Sequence, residues 1–151
     1  MSIECGTYDP SKIRIEKKQL TVAQVEHWIN LGVLKIPEVN SWSVRDKSSI
    51  IESIMVSIPI PSFYFDEDNK GIRTVVKGVS RLSTIHEYLN DGFQLEWMRY
   101  LDNCEGKAFS QLPIKFRRRI EETILDVFII DARCPLEIKK DIFHRINAKY
   151  V

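Results

Sequence analysis

The sequence predicts an α+β fold, on three observations. Segments with helical apolar spacing and segments rich in β-branched and aromatic residues interleave without a strict βαβ rhythm, which disfavours a doubly wound sheet. The run "SFYFDEDNKGIRTVVK" reads as two strands around a turn, Asp68-Asn69-Lys70-Gly71. The run "LDVFIID", residues 125 to 131, is the best candidate for a buried strand.

Taken in order, the first ten or so residues are polar and mixed. Thr21 and Gln24 stand at capping-box spacing before a short helix that ends near Gly32 and turns Val22, Val25, Trp28 and Ile29 inward. "KIPEVNSWSVRDKSS" reads as loop, with Pro37 and clustered Asn and Ser. "SSIIESIMVSI" has Ile50, Ile51, Ile54, Met55 and Ile58 at helical spacing, and Pro59 stops it. After the two-strand segment, a helix from Ser80 places Leu82, Ile85 and Leu89 inward and ends at Asn90, Asp91 and Gly92. "FQLEWMRYL" is expected to pair as a further strand, and "GKAFSQLP" to lead as a loop into the helix "IKFRRRIEETI". Beyond the strand at 125 to 131, Pro135 suits the first turn of a last helix, "PLEIKKDIFHRIN".

A chain of 151 residues, 44% hydrophobic and 28% charged, is expected to form one domain, 1–151, with a real core. Its 22 basic and 21 acidic residues leave no global field, so any nucleic-acid contact must come from a local patch. Cys5, Cys104 and Cys134 are odd in number and far apart, which fits free thiols in a reducing compartment. Neither a signal peptide nor a run of about 18 apolar residues is present. These features predict a soluble, cytoplasmic protein without a membrane partner.

The stretch "TVVKGVSRLSTIHEYL" turns a strand sharply into a helix. Gly78 permits a positive φ and a close backbone approach, and the free N–H groups of a helix start attract anions. Lys77, Ser80 and Arg81 would add a point charge, a hydroxyl and a planar fork for phosphate oxygens. The plainer alternative is a tight turn at Gly78, an N-cap at Ser80 and solvated cations. In "IFHRIN", Arg145 and Asn147 could reach a ligand, or Arg145 could simply pair with Asp141. Lys115, Arg117, Arg118 and Arg119 form the one dense basic run. Residues 117 to 119 span about 200° of a helix, so they suit either a solvated face or contact with a DNA backbone. His27, His86 and His144 have no ligand-spaced partners, and no metal site is expected. Phe63, Tyr64 and Phe65 read as strand core and edge and not as a base-stacking platform.

The succession "IIESIMVSIPIPSFYFDE", "TVVKGVSRLSTIHEYL", "GKAFSQLP" and "IFHRIN" resembles the N-terminal domain of GmrSD-type modification-dependent restriction enzymes over about residues 33–147. The resemblance implies a ParB/sulfiredoxin-like fold, a small mixed sheet flanked by helices. It also implies nucleotide binding and hydrolysis at an Asp-Gly-Gln-Gln-Arg loop, used in phage defence to control a separate nuclease. Gly78 and Arg81, Arg145 and Asn147, and Glu52 fall on the family pattern. Lys77 stands where the family has its Asp, Val79 and Ser80 stand for its two Gln residues, and "PEVNSWSV" replaces an early Pro-x-x-Gln-Arg element.

A charged lysine holds no metal and accepts no proton, so the implied chemistry changes. The expectation is a nucleotide- or phosphate-binding regulatory module with hydrolysis weakened or lost, at Lys77, Gly78, Ser80, Arg81, Arg145 and Asn147. Its ligand would be a nucleoside triphosphate held without Mg²⁺. The alternative is a non-enzymatic DNA-binding or protein-interaction module that uses residues 115 to 119. An active NTPase with Lys77 recruited to phosphate is a third reading. The sequence stops at "AKYV", short of the family's further helices and nuclease domain. That ending predicts a small homologue, a partner subunit or a fragment, and apolar surface for a second copy or a defence-system protein to cover.

Overall fold

The computed structural model describes residues 9–37 and 41–147. Among them the fold is α+β, with one five-stranded mixed sheet in the order β1-β5-β3-β4-β2 and five α-helices. The strands are β1 (Ile15–Thr21), β2 (Leu34–Lys35), β3 (Phe63–Glu67), β4 (Arg73–Lys77) and β5 (Ile124–Ile130). The helices are α1 (Val22–Asn30), α2 (Val44–Met55), α3 (Val79–Leu89), α4 (Ile114–Glu121) and α5 (Leu136–Asn147).

β5 is an interior apolar strand, antiparallel to β1 and parallel to β3, while β3 and β4 form the antiparallel hairpin. Alternation along these strands sorts two cores. Phe63, Phe65, Val75, Leu125, Val127 and Ile129 face α1 to α4, whose Val25, Ile51, Ile54, Leu82, Ile85 and Ile120 complete the larger cluster. On the opposite face, Ile130 and Val76 pack with Ile138, Ile142 and Ile146 of α5. Lys139 ties that helix down, its ammonium 2.7 Å from Asp66 Oδ1 and 2.9 Å from the Glu67 carbonyl.

Local signals hold where the bonds are local. The capping box at α1 is complete, with Gln24 N–H on Thr21 Oγ1 at 3.1 Å and Thr21 N–H on Gln24 Oε1 at 2.8 Å. In the hairpin turn, Asp68 Oδ1 accepts from the N–H groups of Lys70 and Ile72, and Gly71 sits at φ 80°.

Four elements differ from expectation, the first being β2, whose two residues are too few to show a strand pattern. β1 lies in a stretch with no strand signal, because an edge strand that leaves most side chains exposed needs little apolar alternation. α2 starts at Val44, capped by Ser43, and ends at Met55, so Ile58 falls outside it. "FQLEWMRYL" is not a strand. After Leu95, whose amide bonds the Lys107 carbonyl, its amide donors go to side chains, Glu96 to Ser48, Met98 to Glu105, and Arg99, Tyr100 and Leu101 all to Glu52. Trp97 also takes a φ of 61°, outside the extended region. No helix among the described residues is long and apolar enough to cross a membrane.

Candidate functional site

At the β4–α3 junction, Gly78 is the residue before α3, in the left-handed region at φ 96°. A Cβ there would sit 2.4 Å from Phe63 Cδ2, so both the backbone angle and the contact require glycine. Ser80 lies inside α3 and is not its cap; its carbonyl accepts from Thr84 Oγ1 at 2.7 Å.

Lys77 reaches the other motif. The ladder between β3 and β4 shifts register between Tyr64, opposite Lys77, and Phe65, opposite Val75, which leaves Val76 as an extra residue. Tyr64 stacks on Phe128, away from the larger core, so the shift brings Lys77 to the face that α5 covers. There its Nζ donates to the Ile146 carbonyl at 2.6 Å, a cation on the last carbonyls of α5. The β4–α3 turn and the "IFHRIN" segment therefore meet in space. Arg145 Nε donates to Asp141 Oδ2 at 2.9 Å, and Asn147 Nδ2 to the Phe143 carbonyl at 3.0 Å.

Arg81 serves the turn into β3. It donates to the carbonyls of Pro61, through Nη1, and of Ser62, through Nη2, and its guanidinium lies 4.3 Å from the Phe63 ring centroid. Burial lowers its pKa from the ordinary value, and an arginine stays charged even so. The cations expected to hold phosphate, Lys77 and Arg81, are thus engaged with carbonyl oxygens of the fold itself.

The basic run divides along helical geometry. Arg117 Nε turns back to the Leu112 carbonyl at 3.1 Å. Lys115, Arg118 and Arg119, at positions i, i+3 and i+4, line one groove of about 510 Å³ with Ser57, Ile114, Glu122 and Thr123. Arg119 also donates to the Met55 carbonyl at 3.1 Å, closing the end of α2. Reading 117 to 119 as one block hid this stripe; starting the count at Lys115 would have found it.

A second groove, of about 530 Å³, was not foreseen. Arg45, Ser49, Glu52, Ile58, Trp97, Arg99 and Tyr100 are among its lining residues. The Glu52 carboxylate is 6% exposed and accepts three consecutive backbone N–H groups at 2.7–3.1 Å, an anion nest filled by the chain's own acid. Trp97 and Tyr100 remain in solvent, with Arg45 5.1 Å from the indole centroid and Arg99 6.0 Å from the phenol centroid. The failure of "LEWMRY" to segregate apolar residues by alternation was the signal in the sequence.

His86 pairs with Glu26 through Nδ1 at 2.7 Å, and no three His, Cys, Asp or Glu side chains among the described residues gather at a spacing that could hold a metal. Cys104 and Cys134 are free and buried, and burial raises the Cys104 thiol pKa. The chain matches no protein-family model, no curated protein and no solved structure.

Proposed function

We propose that the chain is a non-enzymatic nucleic-acid-binding module on a ParB/sulfiredoxin-like scaffold, degenerate relative to the GmrSD-type domains it resembles, with α4 as its contact face. The pair Lys115 and Arg118, one helical turn apart on the α4 groove, carries this reading, since clustered cations suit a phosphate backbone, while Arg119 beside them holds the Met55 carbonyl. The Lys77 and Arg81 bonds support it from the other side, because those cations hold α5 and the turn into β3.

The test is fluorescence anisotropy with DNA across a salt series. Each phosphate contact contributes about 0.9 to the slope of log affinity against log salt. Lys115→Gln with Arg118→Gln is therefore expected to lower that slope by about 2 and weaken binding across sequences. Affinity that ignores salt, or a double variant that binds like wild type, would sink the reading.

A second reading keeps the site as a nucleotide or phosphate pocket serving a phage-defence system. The meeting of Lys77 and Gly78 with the α5 end that bears Arg145 and Asn147 favours it, as these are the positions that the resemblance marks. A thermal-shift titration with ATP, GTP, CTP and UTP, with and without Mg²⁺, separates the two. A nucleotide at 100 times its dissociation constant adds about 2.7 kcal/mol of stability.

A further inference from the structure

We infer that Trp97 and Tyr100 form a stacking platform for the bases of a single-stranded nucleic acid, with Arg45 and Arg99 placed for its phosphates. This deepens the reading above and rests on it. Trp97 is 66% exposed and Tyr100 60%, on a loop whose Leu95 and Met98 are buried, so the loop had apolar anchors without them.

The loop is also rigid where a platform needs rigidity. The amides of Glu96, Met98, Arg99, Tyr100 and Leu101 are all bonded to side chains of α2 or to Glu105. Trp97 holds a left-handed φ of 61° within that frame, a conformation that a bulky residue adopts at a cost. A pre-ordered aromatic loses little entropy on binding.

Charge selects the partner. The groove's one acid among its lining residues, Glu52, is turned inward onto three N–H groups, while Arg45 and Arg99 flank the rings. Every base offers a π-face, and aromatic stacking beside arginines is the general mode of single-strand binding. Continuity with α4 supplies a path for the backbone. Ile58 lines both this groove and a neighbouring cavity, Ser57 lines that cavity and the α4 groove, and Lys115 and Arg118 lie beyond.

The experiment compares a short oligothymidine with a duplex of the same length at low salt, by anisotropy and by tryptophan quenching. Wild type is expected to prefer the single strand. Trp97→Gly suits the left-handed backbone, so it should fold at least as stably as wild type, yet bind oligothymidine about five- to a hundredfold more weakly. Trp97→Phe should recover part of the loss, and Tyr100→Ala should repeat it. Duplex binding should change little in these variants and fall in the Lys115→Gln, Arg118→Gln protein. If the aromatic variants bind both strands like wild type, the platform is overturned and the α4 reading stands. If the wild type binds neither strand, both are overturned, and an acidic protein surface becomes the partner to seek.

Discussion

Gly78 and Lys77 are neighbours with opposite tolerances. At Gly78, a methyl group would press on the Phe63 ring and carry a left-handed backbone at once, so Gly78→Ala is expected to cost about 3 kcal/mol in urea denaturation. Gly32 has a similar φ of 77° and open space around it, and Gly32→Ala should cost only about 1 kcal/mol. Lys77 has a structural partner of its own. Its ammonium meets the carbonyl end of α5, where an aspartate would face partial negative charge. Lys77→Asp should therefore destabilise by about 1 to 2 kcal/mol. A variant as stable as wild type would show that the bond to the Ile146 carbonyl contributes nothing to stability. The positive φ at Gly78 was legible in "VVKGVS"; the Lys77 bond was not, because its partner carbonyl lies 69 residues away.

At the scale of elements, Glu52 organises the 96–101 loop from the middle of α2. Removing it leaves three part-buried N–H groups without their acceptor, so Glu52→Ala is expected to cost about 2 kcal/mol and to open the loop to proteolysis at low protease. Glu52→Gln, with one amide oxygen left, should lose roughly half of that. Equal stability of all three proteins would mean that the loop is held by Leu95 and Met98 alone. The helices α1 and α3 and the β3–β4 hairpin were legible, since apolar spacing, a capping box and an Asp-Asn-Lys-Gly turn are written within a few residues. β1 and the 93–101 segment were not. A seven-residue edge strand leaves Lys17 and Glu16 in solvent, and a loop pinned by Ser48, Glu52 and Glu105 takes its shape from a helix and a turn elsewhere in the chain.

For the whole molecule, the clearest titrations belong to carboxylates in turns. Arg133's side chain and N–H hold Asp131 far below the usual carboxylate range, and the N–H groups of Ile72 and Lys70 lower Asp68. A folded pKa below the unfolded value of about 4 means stability that is present above pH 4 and lost as pH falls towards the folded value. Urea midpoints should thus be flat from neutral pH to about pH 4 and then decline. Asp131→Asn and Asp68→Asn should each flatten the acid limb. Asp68 is exposed and Asp131 partly so, and each is held by bonds within its own turn, so the decline is expected to be shallow; a midpoint that rises below pH 4 would contradict the assignment.

By itself, the sequence determined the α+β class, the hairpin, the buried strand β5 and the main helices, because these follow from spacing and hydrogen bonds that span a few residues. It also marked Lys77, Gly78, Arg81 and Arg145 as special. The turn at Gly78 and the Arg145–Asp141 pair, one helical turn apart, were within reach of the sequence, but what Lys77 and Arg81 do was decided only by tertiary structure. Lys77 bonds a carbonyl on α5, Arg81 those of the turn before β3, and Arg119 that of Met55, and each acceptor comes near only when the sheet and helices have packed. The same packing divided one basic run into a groove-lining stripe and an anchor, and it left Trp97 and Tyr100 facing water. Side-chain bonds to distant backbone carbonyls have no period and no motif, which is why the fold could be read along the chain and the site could not.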